Sequence, residues 1–349
     1  MNMKVLLYSG SWNLVKESGV GQALLHQQAM LSSKGIATTR EWESDATIIH
    51  VNTVFPDTVW AVRKAKRKGM LVVRYAHSTM EDFKHSFLFS NALAPLFRRW
   101  IRFLYQQGDV VVTPSSYAKR LLESYGVTKP IFVLSNGVDT TRFFPSKEKR
   151  TAFRRSFGLS ETELVVISVG LFIERKGILD FLALAKRMPS VTFLWFGHTP
   201  SSLMTKRVKQ AIQEKSDNVR FPGYIDQDSL SQAYCGADLF VFPSHEETEG
   251  IVVLEALSSG VPVIIRDIPV YEDWLIDKQN VYKAGNLEDL QRLISQFAEG
   301  LLPDLTEAGL AVAKERSIPA IADRMLEVYR QSGTTMDLGG KDAKHAGKL

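Results

Sequence analysis

Residues 242–264 read FPSHEETEGIVVLEALSSGVPVI, with four glutamates, Glu246, Glu247, Glu249 and Glu255, inside ten residues. Gly250 separates the first three from the apolar run IVVLEALSS, which spells a helix opened by that glycine. The first N–H groups of such a helix, from Gly250 through Ile251 to Val252, have no intrahelical partner and carry partial positive charge, so they suit a phosphate. A glycine at the tip lets the backbone come close to a ligand. Glu255 lies about one turn in, between Leu254 and Ala256, where a solvated face is implausible. A carboxylate there can accept two hydrogen bonds from a vicinal diol, as acidic residues do for ribose in dinucleotide sites. Glu247, on the loop before the helix, lies beyond the phosphate end and can hold sugar hydroxyls. The pair therefore spans a nucleotide-sugar, with ribose at one end, hexose at the other and diphosphate over the helix tip. Two readings stay open for Glu246 and Glu249: a ligand contact, or favourable placement near a helix dipole.

The elements that must position these groups alternate along the chain. Short apolar runs suggest strands at 3–8, 47–51, 70–75, 109–113 and 131–134. Helical patterns fill the gaps at 20–33, 56–68, 92–106 and 115–125. The second half repeats the rhythm, with strands near 164–169, 191–196, 218–221, 238–242 and 262–265 and helices near 177–187, 201–215, 228–235, 250–258 and 286–299. Strand–helix alternation implies a parallel sheet covered on both faces. The fold class expected is α/β, two doubly wound Rossmann-like domains facing across a cleft. Their strand C-terminal ends then point at one ligand. The break falls in SNGVDTTRFFPSKEKR, where Asn136-Gly137 marks a turn. The expected division is 1–145 and 146–316, with a C-terminal helix at about 317–331 that packs back on the first domain. The Gly- and Lys-rich tail 332–349 reads as disordered.

The single cysteine, Cys235, excludes a disulfide framework or cysteine metal cluster and fits a reducing, intracellular setting. No apolar run of ~18 or more residues reads as a membrane span. Charge is uneven: residues 1–145 hold 18 Lys+Arg against 10 Asp+Glu, and the remainder 25 against 28. A basic first half points to an anionic partner. Nucleic acid is set aside because no recognition motif accompanies the charge. A dinucleotide oxidoreductase is set aside because neither half has G-x-G-x-x-G after a strand.

PSHEETEGIVVLEALSSGVPVI resembles the E-x7-E signature of the retaining GT-B glycosyltransferases of family GT4. SNGVDTTRFFP resembles their interdomain segment, VTPSSYAKRLL the preceding strand–helix unit, and SVGLFIERKGILDF the phosphate-binding loop. The motifs stand in the family's order over nearly the whole chain. The resemblance implies a metal-independent transferase using a sugar nucleotide with retention of configuration. Glu255 then corresponds to the ribose-binding glutamate, Glu247 to the sugar-contacting one and Lys176 to the diphosphate lysine; Gly170 and Tyr224 fall among the donor-binding positions. The family's arginine after the loop glycine is Leu171 here, and Arg175 is the obvious substitute. The usual E-G-F-G is altered to Glu247-Thr248-Glu249-Gly250.

In the first half, SGVGQALLHQ places Gly19 and Gly21 before a helix, where a tight turn is the plain alternative to a site loop. VVRYAHSTMEDF puts His77 just after a strand. The resemblance makes both part of the reaction centre. It gives His77 a hydrogen bond to the hexose and a share in stabilising an oxocarbenium-like transition state. Leaving-group charge falls on Lys176, Arg175 and the helix tip. Asp226 and Asp228 in IDQD mimic a metal-binding D-x-D but are read as caps of a helix starting at Ser229. No metal and no cofactor are expected.

PLFRRWIRFLYQ, 95–106, puts Arg98, Arg99, Arg102 and Gln106 on one side of a helical wheel. Trp100 and other apolar residues fill the rest, with Phe83, Lys84 and RKAKRK (63–68) adding apolar and cationic groups nearby. Such helices suit the surface of an anionic membrane; the alternative is a core helix with a solvated arginine face. HVNTVFPDTV, AHSTMEDFKHSF and HEETEGIVVLEALSS resemble the diacylglycerol glycolipid synthases of Gram-positive bacteria. The expected reaction is hexose transfer from UDP-glucose or UDP-galactose to monoglucosyl-diacylglycerol. It makes a diglycosyl-diacylglycerol on the inner face of the cell membrane. A soluble or polysaccharide acceptor, or a non-catalytic GT-B subunit, are the alternatives; keeping Glu247, Glu255 and Lys176 together argues against the last.

Overall fold

The structure, a computed structural model, describes residues 3–332 apart from 11, 17, 43–44 and 87–89. Two six-stranded parallel sheets carry the fold. The first contains β1 (Lys4–Tyr8), β2 (Ala37–Thr39), β3 (Ile48–Val51), β4 (Leu71–Tyr75), β5 (Val110–Thr113) and β6 (Ile131–Val133), in the spatial order β2-β1-β3-β4-β5-β6. The second contains β7 (Val165–Val169), β8 (Thr192–Phe196), β9 (Val219–Gly223), β10 (Leu239–Phe242), β11 (Val263–Arg266) and β12 (Tyr282–Ala284), in the order β12-β11-β10-β7-β8-β9. The central strands β3, β5, β8, β10 and β11 are buried along their whole length. Helices cover both faces, so these strands read as unbroken apolar runs.

The edge strands β2 and β12 are three residues each and carry no apolar run to announce them. Helix Lys147–Phe157 falls where the sequence suggests only a break, because KEKRTAFRRSF is mostly charge. Its Arg154 is nonetheless buried: the guanidinium donates to the carbonyls of Gly236 and Ser160 at 2.8 and 2.6 Å and pairs with Asp238 at 3.3 Å. The stretch 201–215 divides into a 3-10 turn, Ser201–Leu203, and a helix, Lys206–Gln213, whose new start is capped by Thr205.

The last helix, Ile318–Gln331, leaves the second sheet and packs on the first. Ile321, Met325 and Tyr329 share one core with Val5, Leu7, Leu24 and Val73. Ser317 bridges Val138, so the return crossing runs beside the outgoing one. The tail expected to be disordered lies, from 333 on, outside the described residues.

In each sheet the strand order reverses once, between β1 and β3 and between β7 and β10. Crevices at such switch points, outside the strand C-termini, are where open α/β sheets bind ligands. Gly170 follows β7, Ser244 and Glu247 follow β10, Asn52 follows β3 and His77 follows β4.

Candidate active site

The two loops at the second switch point lock together. Gly177 has φ 79°, and a Cβ there would meet the Pro243 carbonyl oxygen at 2.2 Å, so only glycine lets the loops touch. Arg175's carbonyl accepts from the His245 N–H at 2.8 Å and the Ser244 hydroxyl at 3.2 Å. Lys176 Nζ lies 2.5 Å from Glu247 Oε1, which also accepts from Ser244 Oγ at 2.6 Å. Burial pushes the Glu247 carboxyl up, but Lys176 and then Arg175 outweigh it and hold it below the ordinary value. Burial also draws the Lys176 ammonium below its ordinary value, with Glu247 opposing. Lys176 and Glu247, the residues expected at the diphosphate and at the sugar, thus form one largely buried ion pair at the cleft.

The helix Ile251–Ser258 starts as expected, with Gly250 at φ 92° as its cap residue and no side chain capping it. A Cβ at Gly250 would meet the Tyr271 hydroxyl at 2.8 Å. Neither Glu246 nor Glu249 caps this helix. Glu249 is buried and turned toward the domain crossing, where its Oε2 accepts from the Asn136 backbone N–H at 3.0 Å and Nδ2 at 2.7 Å. Burial pushes its carboxyl up. Glu246 is raised to about 7, by burial first and by neighbouring acids, Asp82 foremost, against a Tyr117 hydrogen bond. Glu255 is buried and accepts from the Tyr234 hydroxyl at 3.0 Å; burial raises it to about 7. Its other oxygen takes no hydrogen bond from the described residues. Gly170 accepts from Trp195 Nε1 at 2.8 Å, and Tyr224, after β9, is 50% exposed.

Arg175, expected as the substitute for the missing loop arginine, spans the cleft. It donates to the Glu246 carbonyl at 2.7 Å on its own side. Across the cleft it reaches Asp82 at 2.8 Å and Ser86 Oγ at 3.0 Å. Ser115 Oγ likewise donates to the Thr248 carbonyl at 2.7 Å. Asp82, Ser86 and Ser115 were not anticipated. The only hint was an acid five positions after His77, and a contact between two separately folded sheets leaves no spacing signal.

His77 is buried at the first switch point, its Nε2 3.0 Å from Asn52 Oδ1 and its ring stacked on Tyr75 at 5.7 Å. Burial lowers it to about 4, so it is neutral at physiological pH. Gly19 and Gly21 do not precede a helix as expected; they form the first turn of Gly19–Ser33, capped by Ser18. A Cβ on Gly21 would meet the Val15 carbonyl oxygen at 2.4 Å, which gives that glycine a packing reason. Gly19 faces open space.

Asp226 caps a helix, as expected, but the helix begins at Gln227 rather than Ser229. Asp228 lies in its first turn and pairs with Arg142 at 3.0 Å. Among the described residues no three His, Cys, Asp or Glu side chains converge as metal ligands.

The arginine face read from the wheel of 95–106 is in part tied to neighbouring loops. In helix Ser90–Tyr105, Arg98 donates to the Ser124 carbonyl at 2.8 Å and lies over the Tyr125 ring. Arg102 donates to the Gly126 carbonyl at 3.3 Å. Trp100 is half-buried and donates to the Val54 carbonyl at 2.7 Å. Phe83 stacks on Phe97 at 4.3 Å and Lys84 is half-buried. These side chains hold the helix down. Its outer face shows Leu93, Leu96, Arg99, Arg102 and Phe103, with Leu96 65% exposed. No helix among the described residues is long and apolar enough to cross a membrane.

Residues 149–332 match the family model for glycosyl transferases group 1, and residues 27–142 that for glycosyltransferase family 4. A processive diacylglycerol alpha-glucosyltransferase of Acholeplasma laidlawii is 40% identical, over 94% of this chain and 98% of its own. An alpha-galactosylglucosyldiacylglycerol synthase of Streptococcus pneumoniae is 26% identical over 88% of this chain and 83% of its own. Among solved structures, Anabaena Alr3699/HepE in complex with UDP-glucose superposes with a TM-score of 0.78 at 16% identity, covering 94% of this chain and all of that one, a likeness of fold. With two facing Rossmann-like sheets, family models over both halves and a relative this similar along nearly its full length, the chain belongs to the group 1, family 4 glycosyltransferases of GT-B fold.

Proposed function

We propose that this glycosyltransferase moves a hexose from a UDP-sugar to monoglucosyl-diacylglycerol, forming a diglycosyl-diacylglycerol with retained α configuration. The observation that carries the donor half is the largely buried Lys176–Glu247 pair at the tip of a helix whose next turn holds Glu255. That arrangement supplies a cation for a leaving diphosphate, a carboxylate for hexose hydroxyls and a second carboxylate for the ribose diol. The reaction needs no metal, since Lys176 and the helix N–H groups meet the charge. The acceptor half follows from the relatives, which are named for diacylglycerol and glucosyldiacylglycerol chemistry. Incubation with radiolabelled UDP-glucose or UDP-galactose, each with diacylglycerol and with monoglucosyl-diacylglycerol, tests it by lipid chromatography. Labelled product only on a soluble sugar would overturn the lipid acceptor.

The donor site makes a pH-dependent prediction. Glu255 titrates near 7 because burial favours its neutral form. Above that pH it is a carboxylate that accepts from both diol hydroxyls, and below it keeps a proton and accepts less well. UDP affinity is therefore expected to rise between pH 6 and pH 8, spanning that titration. Glu255→Ala should lose ~1.5–3 kcal/mol of binding and the pH dependence with it. Calorimetry with UDP that shows unchanged affinity would remove Glu255 from the nucleotide site.

The enzyme works on the inner face of the membrane, docked through its basic first domain. Leu96, Arg99 and Phe103 mix apolar and cationic groups on one exposed face, which suits the headgroup layer. Replacing them together with Ser should weaken binding to anionic vesicles by a few kcal/mol, at ~1 kcal/mol per cation plus the apolar area lost. The same change at Arg98 and Arg102 would instead loosen the helix from residues 124–126. Vesicle sedimentation reads the difference, and wild-type pelleting by the first variant would move the docking face to 63–68.

A further inference from the structure

A line of buried polar side chains runs from His77 away from the cleft and ends on the last helix. Asn52 Oδ1 lies 3.0 Å from His77 Nε2 and 2.6 Å from Gln27 Nε2. Gln27 Oε1 lies 3.2 Å from Asn52 Nδ2 and 3.1 Å from His50 Nδ1. His50 Nε2 lies 2.6 Å from the Tyr329 hydroxyl. Gln27, His50, Asn52 and Tyr329 are all at most 2% exposed, so water cannot replace any link. Tyr75 packs its ring on both histidines, at 4.9 Å from His50 and 5.7 Å from His77, and holds them in place.

Burial lowers His50 to about 3 and His77 to about 4, so both rings are neutral and each carries one N–H. The chain then has only two self-consistent directions. In one, Tyr329 donates to His50 Nε2, His50 Nδ1–H donates to Gln27, Gln27 donates to Asn52, and His77 Nε2–H donates to Asn52. In the other every amide is turned over and every bond runs backward, with His50 Nε2–H donating to Tyr329. The second leaves the Tyr329 O–H buried with no acceptor, because its only hydrogen-bond partner among the described residues is His50. Buried donors are rarely left unpaired. The end of the chain therefore decides its beginning.

We propose that Tyr329, acting through His50, Gln27 and Asn52 as positioning residues, fixes His77 in the Nε2–H tautomer and presents Nδ1 to the donor hexose as a hydrogen-bond acceptor. Nδ1 takes no hydrogen bond from the described residues, so it is free to receive a sugar hydroxyl. The role at the hexose rests on the donor-site reading above; the tautomer does not. The helix that closes the first domain thus also sets the polarity of a group at the reaction centre.

The test is two-bond ¹H–¹⁵N correlation on the full chain with ¹⁵N-labelled histidine, which reports each tautomer directly. Assignment uses His50→Gln and His77→Gln. Wild type should show His77 as Nε2–H and His50 as Nδ1–H. Tyr329→Phe removes the deciding hydroxyl: the first direction then leaves His50 Nε2 unfilled and the second leaves His50 Nε2–H unpaired, so the margin between them narrows. A minor Nδ1–H form of His77 should appear beside the Nε2–H form, and kcat should fall as that form grows, with KM little changed. Asn52→Asp, whose carboxylate can only accept, should restore the Nε2–H form in the Tyr329→Phe background. If Tyr329→Phe does not fold, the wild-type tautomers of His77 and His50 decide the matter by themselves. A wild-type His77 in the Nδ1–H form, or a tautomer indifferent to Tyr329→Phe, overturns the proposal. Normal turnover by His77→Ala would instead remove the sugar contact and leave the tautomer result standing.

Discussion

Replacing Lys176 with alanine is expected to cut kcat by about 10²–10³-fold while changing donor KM far less. Charge on the diphosphate grows as the glycosidic bond breaks, so a cation beside it stabilises the transition state more than the ground state. Lys176 is a partly buried ammonium at the cleft, held 2.5 Å from Glu247. Its removal also leaves Glu247 buried without its main counter-charge, which costs up to ~3–5 kcal/mol of stability. Ser244 still donates to the carboxylate and protonation offers relief, so the loss should lie at the low end of that range. Because burial lowers the Lys176 pKa, turnover should also fall on the alkaline side earlier than for an ordinary lysine. Steady-state kinetics across pH with thermal melts separates the effects. A near-normal kcat in a folded Lys176→Ala protein would take the lysine out of leaving-group stabilisation.

Cutting the chain after Ser317 is expected to abolish the folded state of the first domain, although every strand of its sheet would remain. Ile318, Ile321, Met325, Leu326 and Val328 are buried in that domain's core. At ~1.5–3 kcal/mol for each large apolar side chain, the five contribute ~8–15 kcal/mol. A whole domain is stable by only ~5–15 kcal/mol. The cut also uncovers Leu24 and Met30 on helix Gly19–Ser33. Soluble yield and cooperative melting are the measurements. A truncated chain that melts cooperatively near the full-length temperature would show that the returning helix is an accessory.

Long apolar strands were easy to read because burial on both faces leaves an unbroken signature. The three-residue edges β2 and β12 were not, since pairing on one side only asks little of composition. Helix Lys147–Phe157 hid behind its charges, which solvate all but Phe153 and Arg154. At the site, Glu247 and Glu255 stand out in the sequence by their offsets from Gly250, whereas Lys176 stands out only through the likeness of its loop to the family's phosphate-binding loop; the structure pairs it with Glu247. Glu249 was ambiguous: a carboxylate next to a helix start looks the same whether it faces the dipole or, as here, Asn136 across the crossing. Arg98, Arg102 and Trp100 also bond to neighbouring loops, which a wheel does not reveal, because it shows only which residues share a side. It cannot show that loop carbonyls at 124 and 126 wait for the arginines, or one at 54 for the tryptophan.

The return of Ile318–Gln331 to the first sheet also governs how the protein is made. Ribosomes add ~5–20 residues per second, and domains generally fold from the N-terminus as they emerge. Here the first domain to emerge lacks part of its core until the last helix is synthesised, while the second can already close around β7–β12. The nascent chain therefore carries an exposed apolar seat, formed by Leu24, Met30 and Leu31, through the whole translation of the second domain. Chaperone demand should peak in that interval and end abruptly when Tyr329 clears the exit tunnel.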